Sequence, residues 1–259
     1  FGAGNASFHP VDFTILNQRV SAPRLGYAFS AHGLTGNLGW AIAPLFMVGI
    51  SSLYDWRTAY VAAACVFLGI LALLVWKSDA ILTHTADRRA NGPQLAHSLA
   101  FLKIPVVWWC FAFFFFSTMT LAIVQTFSVS ILQAIHHVSF EAATLTLTAY
   151  MLCTAGGMFL GGFVAARWPM HSDRVVATCM TVAAIFMALC GSGWFNGNLA
   201  MVILAATGLA IGVGGPSRDM MIKKATPKGA TGRVYGMVYS GLDVGSATSP
   251  LVFGVFMDR

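Results

Sequence analysis

Long apolar runs, broken by short polar stretches, fill this chain. Residues 25–54, 58–76, 104–140, 142–166 and 175–217 contain no Asp, Glu, Lys or Arg. A helix of about 20 apolar residues crosses a bilayer core of about 30 Å. The run 175–217 is long enough for two crossings, and Gly191-Ser192-Gly193 with Asn196-Gly197-Asn198 supplies a turn in its middle. The pattern predicts eight segments, at about 1–18, 26–52, 57–76, 105–132, 142–166, 175–194, 198–217 and 234–257. The longest and most polar connection, 77–104, reads as a linker between two helical bundles, 1–76 and 105–259. His84 and His97 in that linker read as solvated loop histidines.

Charge gives these segments a direction. Thirteen of the fifteen Lys and Arg residues fall in alternate connections, around 19–25, 77–104, 167–174 and 218–233. The other side holds only Arg57 and Arg259. By the positive-inside rule the basic side is cytoplasmic, and Trp56, Trp168 and Trp194 suit interfacial anchors. Composition agrees: 9% of residues are charged, against about 25% in a soluble domain. Hydrophobic residues make up 57%, with a mean hydropathy of +0.73. The expected fold class is therefore an all-α integral membrane protein, a polytopic helical bundle. A large water-soluble core is excluded. The net charge of +6 lies beside the spans, so it marks topology and no nucleic-acid partner is expected.

Cys65, Cys110, Cys153, Cys179 and Cys190 all lie in apolar runs without metal or disulfide spacing, and read as small hydrophobes. The chain opens inside a hydrophobic segment, at Phe1-Gly2-Ala3-Gly4, and closes just after another; it reads as a fragment of a longer protein.

Two stretches on either side of the linker look alike. Gly2-Ala3-Gly4, a loop with Pro23-Arg24, His32-Gly33-Leu34 and Gly39 to Pro44 parallel Gly212-Val213-Gly214, a loop with Pro227 and Arg233, Ser240-Gly241-Leu242 and Gly245 to Pro250. Two related halves are a common plan for transporters. On these features the chain resembles the major facilitator superfamily, whose members have two six-helix halves joined by a cytoplasmic linker. The resemblance implies a partial two-bundle fold holding helices four to eleven. Gly4-Asn5-Ala6-Ser7-Phe8-His9-Pro10 and Arg24-Leu25-Gly26 resemble the fosmidomycin-resistance-like efflux branch. Thr226-Pro227-x-Gly229-x-x-Gly232-Arg233, leading into Gly241-Leu242-Asp243, resembles the ten–eleven loop and helix eleven of many members. There are two departures. The Asp of the family's loop signature is Ala166 here, which puts a gating salt bridge at that position in doubt. Pro44 follows Ala43, where the antiporter signature has a Gly-Pro pair, which weakens the case for drug:proton antiport.

Ionisable groups inside a membrane are expensive and point to function. At 1.5 Å per residue, Asp12 lies roughly 10 Å from Arg19, His32 roughly 12 Å from Arg24, and Asp243 and His9 roughly 15 Å from the nearest basic residue. His9 and Asp12 are three apart and share a helix face. Pro10 frees a carbonyl near Ala6 and is placed to kink that helix. Asp12, His9, His32, Asn37 and Asp243 are the candidates for proton coupling or substrate binding. Thr118, Thr120 and Gln125 are weaker candidates for a cavity wall. Asp219, beside Arg218 and ahead of Lys223-Lys224, reads as an interfacial charge network. Gly156-Gly157 and Gly161-Gly162 read as a helix-contact surface. His136-His137 with Glu141 lacks further ligands, so no metal site is expected there, and no cofactor is expected. Asn5-Ala6-Ser7 matches a glycosylation sequon but sits within a span.

The resulting expectation is a monomeric secondary transporter of the inner (plasma) membrane. It would move a small organic solute by alternating access, with protons and lipid as its other partners, and efflux is expected before uptake. The alternative from another class is a membrane-embedded enzyme, for which no nucleophile–base or metal constellation is visible in the sequence.

Overall fold

A computed structural model describes residues 8–81, 100–226 and 231–257. These residues form helices: α1 (Phe8–Arg19), α2 (Leu25–Leu53), α3 (Trp56–Trp76), α4 (Ser78–Ile81), α5 (Pro105–His136), α6 (Phe140–Arg167), α7 (Ser172–Gly191), α8 (Gly197–Ala225) and α9 (Thr231–Met257). No strand occurs among the described residues. Six helices, α2, α3 and α5 to α8, are long and apolar enough to cross a bilayer core. The Asn5 sequon, the carbonyl of Ala6, His84 and His97 lie outside the described residues.

The helix ends follow local chemistry. Pro105 starts α5, where its missing N–H is harmless, and His137 in the left-handed region (φ 53°) ends it. Ser139 and Asn196 cap α6 and α8 by accepting the amides of Ala142 and Leu199. Asp55 caps α3 by accepting the Thr58 amide at 2.6 Å, and that bond holds its carboxyl below the usual carboxylate range. Gly193, at φ 69°, makes the expected turn between α7 and α8.

One boundary differs from the sequence pattern. Residues 218–225 continue α8 instead of forming a loop. Charge ends an apolar run but does not end a helix. Lys223 and Lys224 sit in the last turn, where cations meet the negative end of the helix dipole. Arg218 and Asp219 are therefore inside the helix, seven and six residues from its end.

Along the chain the described helices fall into two groups, α1 to α4 and α5 to α9, on either side of residues 82–99, and contacts of α2 with α6 and of α1 with α9 tie the two together. In the second, α8 lies along α6 and α7, and α9 lies along α5. Gly157 and Gly161 on α6 face the backbone of Leu209 and Val213, while Gly208 and Gly212 on α8 face the carbonyls of Tyr150 and Thr154. A Cβ at any of these would collide with backbone, so the glycine stripe sets the close approach of the two helices. Gly156 meets nothing and lies off the stripe. In the first group, α3 packs on α2 and turns an apolar face outward, including Val66, Phe67, Leu68 and Leu71.

The groups meet at the end where the basic residues gather. Gly26 lies against Ala165 and Ala166, Gly33 against Met158, and the Ser30 hydroxyl donates to the Met158 carbonyl at 2.8 Å. The backbone nitrogen of the family's Asp position, Ala166, thus lies at a tight helix crossing. Phe13, Leu25 and Phe29 join Tyr235, Val238 and Tyr239 in one buried cluster across the junction. Further along α2, Gly36, Gly39 and Gly49 face open space.

Candidate functional site

The junction holds the polar cluster. His9 and Asp12 lie on one face of α1, and His32 reaches them from α2. The Asp12 carboxylate oxygen Oδ2 is 3.1 Å from His32 Nε2 and 3.6 Å from His9 Nδ1. The side chains are only 19%, 25% and 35% exposed for Asp12, His32 and His9. The His9 contact is too long for a hydrogen bond and the His32 contact is out of line for one, so both Asp12 oxygens and His9 Nδ1 are buried without such a partner. A lone carboxylate at the centre of a spanning helix costs about 2.5–3.5 kcal/mol on insertion scales. Two imidazoles beside Asp12 offset that cost whenever one carries a proton.

Aromatic rings form the wall around these groups. Phe13 stacks on Tyr235 with ring centres 4.7 Å apart, and meets His32 edge-on at 5.2 Å. Tyr239 lies 4.5 Å from the His9 ring, 5.2 Å from Phe13 and 4.8 Å from Phe114. The Tyr239 hydroxyl points the other way and donates to Asp219 Oδ1 at 3.3 Å.

Asp219 anchors a second charge group. It is 3% exposed and accepts from Arg218 Nε at 3.1 Å. The Arg218 guanidinium lies over Phe114, 4.6 Å from its ring centre, where the ring quadrupole attracts the cation. The Tyr235 hydroxyl donates to the Asp219 backbone carbonyl at 3.4 Å and accepts from Asn17 Nδ2 at 3.5 Å. Tyr239 thus spans from the α1–α2 cluster to the α8 pair, its ring on His9 and its hydroxyl on Asp219.

Three of the five leading sequence candidates, His9, Asp12 and His32, come together here. The other two do not. Asn37 donates to the Gly33 carbonyl at 2.8 Å, one turn back on its own helix. Asp243 is exposed, while its neighbours Gly241 and Gly245 pack on Phe111 and Phe115. Among the weaker candidates, Thr118 is buried in α5, Thr120 donates to the Phe116 carbonyl, and Gln125 is exposed. Far from the junction, His136 places Nδ1 3.1 Å from the Phe195 carbonyl and Nε2 2.8 Å from the Cys190 carbonyl. That ring holds the α5 end to α7, with neither nitrogen turned to a ligand.

Sequence reasoning took Arg218 and Asp219 only as an interfacial charge network, although Asp219 is buried, and missed Tyr235, Tyr239 and Asn17. The signal available for the first two was their depth, six to seven residues inside a helix whose last turn carries Lys223 and Lys224. The tyrosines gave no signal, because aromatic residues in spans are common on lipid-facing surfaces.

Six helices long and apolar enough to cross a bilayer, packed around a polar, charged cluster, are the architecture of a polytopic membrane protein. The comparison with known families agrees. The chain belongs to the Major Facilitator Superfamily, whose pattern matches residues 1–250. That membership makes it a secondary transporter in the general sense and a multi-pass membrane protein. No curated protein and no solved structure matches it.

Proposed function

We propose that the protein is a proton-coupled exporter of small organic solutes, with coupling carried by Asp12, His9 and His32. The observation behind this reading is the Asp12 carboxylate, enclosed at the junction of the two bundles and flanked by two imidazoles within 3.6 Å. A proton arriving there changes the charge of a poorly solvated group, which alters how strongly the two bundles hold together. Imidazole supplies the partner that takes or returns the proton near neutral pH. The basic end is taken as cytoplasmic by the positive-inside rule, in the inner (plasma) membrane. The aromatic wall of Phe13, Tyr235 and Tyr239 suits an amphipathic solute, and the resemblance of residues 4–10 to an efflux branch favours export.

The test uses the protein in proteoliposomes with an interior pH dye and a panel of small organic compounds. Antiport predicts that adding a transported compound outside raises the interior pH. An interior that acidifies instead would establish symport and overturn export. No compound-dependent proton movement by folded protein would contradict the coupling itself.

A further inference from the structure

The off-axis geometry around Asp12 says more than proton sharing requires. His9 Nδ1, Asp12 Oδ2 and His32 Nε2 all lie within 4.8 Å of one another. Ligand atoms about 2.0–2.1 Å from a tetrahedral zinc ion sit about 3.3–3.4 Å apart. The two edges that meet at Asp12 Oδ2, 3.1 and 3.6 Å, fall on either side of that value. The third edge, between the histidines, closes by rotation of His9, the most exposed of the three.

The His32 N–H axis does not point at the carboxylate, although Nε2 is 3.1 Å from it. Ligands of a common ion have this arrangement, because each lone pair aims at the ion and not at its fellow ligand. A shared hydrogen bond would have brought the N–H axis onto the oxygen. Both Asp12 oxygens and His9 Nδ1 are buried and otherwise unpartnered, so no competing bond has to break. His9-x-x-Asp12 presents two ligands from one helix face, and His32 completes the set from the next helix, as in metal sites built inside helical bundles.

We infer that His9, Asp12 and His32 form a three-ligand site for a divalent transition-metal cation of the zinc type, and that such a cation, carried by a small chelating organic anion, is the solute class. Two imidazoles and one carboxylate select zinc, cobalt or nickel over magnesium and calcium, which take oxygen ligands. The site leaves at least one coordination position open for water or a chelator. One carboxylate against a divalent ion leaves a net charge of +1, which favours an anionic group in that position. Metal binding needs unprotonated imidazoles, so metal and protons compete for the same atoms. The inference rests on the reading of this cluster as the transport site and gives the competing solute.

The test is titration of the purified protein with Co2+, whose visible bands are strong in four-coordinate sites. Expected are one saturable Co2+ per protein, displacement by Zn2+ but not by Mg2+, and proton release on binding that grows as the solution is made more acid. Asp12→Asn and His32→Gln should each weaken binding more than tenfold, while Asp12→Glu retains it and His137→Gln, at the opposite end of α5 from the junction, leaves it unchanged. The wild-type titration and its Zn2+ displacement do not depend on any variant folding. Absence of saturable binding, or binding indifferent to both Asp12→Asn and His32→Gln, would overturn the site. Compound-driven proton flux without Co2+ binding would overturn this inference and leave the coupling reading standing. Co2+ binding that depends on Asp12, with no proton flux from metal or compound, would uphold the site and overturn the coupling reading.

Discussion

Asp12 and Tyr239 carry the account at the scale of single residues. Asp12 was legible: a carboxylate about 10 Å inside an apolar segment, three residues from a histidine, has few roles other than structural pairing or proton chemistry. His32 was legible by depth alone, since counting from Arg24 places it near the level of Asp12. Their pairing at 3.1 Å was not legible, because two helices of equal depth can turn their polar faces apart. Tyr239 was invisible, since nothing in an apolar segment separates a tyrosine that faces lipid from one that touches both His9 and Asp219. Removing its hydroxyl leaves the ring in place and takes one donor from a buried carboxylate. Such a bond is worth about 1.5 kcal/mol or more when the acceptor is charged, roughly a tenfold effect. Tyr239→Phe should therefore cut transport about tenfold while leaving the protein monodisperse, as measured by initial uptake rates in proteoliposomes. An unchanged rate would remove Tyr239 from the coupling path.

Elements show why the periodic reading worked for most helices and failed for one. The apolar runs located α2, α3 and α5 to α7 to within a few residues, because nothing but a helix buries that many backbone amides in a membrane. The same logic misplaced the end of α8. Arg218 and Asp219 interrupt the apolar run, but each neutralises the other, Arg218 lies over the Phe114 ring and Asp219 accepts the Tyr239 hydroxyl, so the helix continues through them. The glycine stripe of α6 was partly legible: Gly157 and Gly161 do make the contact with α8, and Gly156 does not. This gives an element-scale prediction. Gly212→Val drives a branched side chain into the Thr154 carbonyl and should cost about 1–3 kcal/mol or more, seen as a lower midpoint in a thermal-unfolding assay. Gly36→Ala, with open space around it, should leave that midpoint unchanged to within about 0.5 kcal/mol of stability. Equal effects of the two would contradict the close approach of α6 and α8.

At the scale of the whole molecule, contacts between the bundles gather at the basic end. Residues 9–33 of α1 and α2 meet α6, α8 and α9 there, and the later part of α2 faces away. A carrier that opens to each side in turn must release this end, and the residues that hold it are those around Asp12. Thr14 lies on this seam, with its hydroxyl 3.5 Å from where a Cβ on Gly232 would sit. In a background lacking the five native cysteines, Thr14→Cys with Gly232→Cys should form a disulfide on oxidation. Transport should stop when the bond forms and return on reduction; full transport with the bond in place would show that this end need not open. The linker and the repeat lead to an expectation of two bundles, with most of the linker outside the described residues, whereas which helix ends meet depends on helix faces that charge counting does not resolve. The central claim is that Asp12 couples solute movement to protons, and one comparison tests it most directly. Proteoliposomes holding the wild type or Asp12→Asn are assayed for solute–solute exchange and for accumulation driven by a proton gradient. Asp12→Asn should keep exchange, which moves no net proton, and lose accumulation. Wild-type accumulation by Asp12→Asn would contradict the claim.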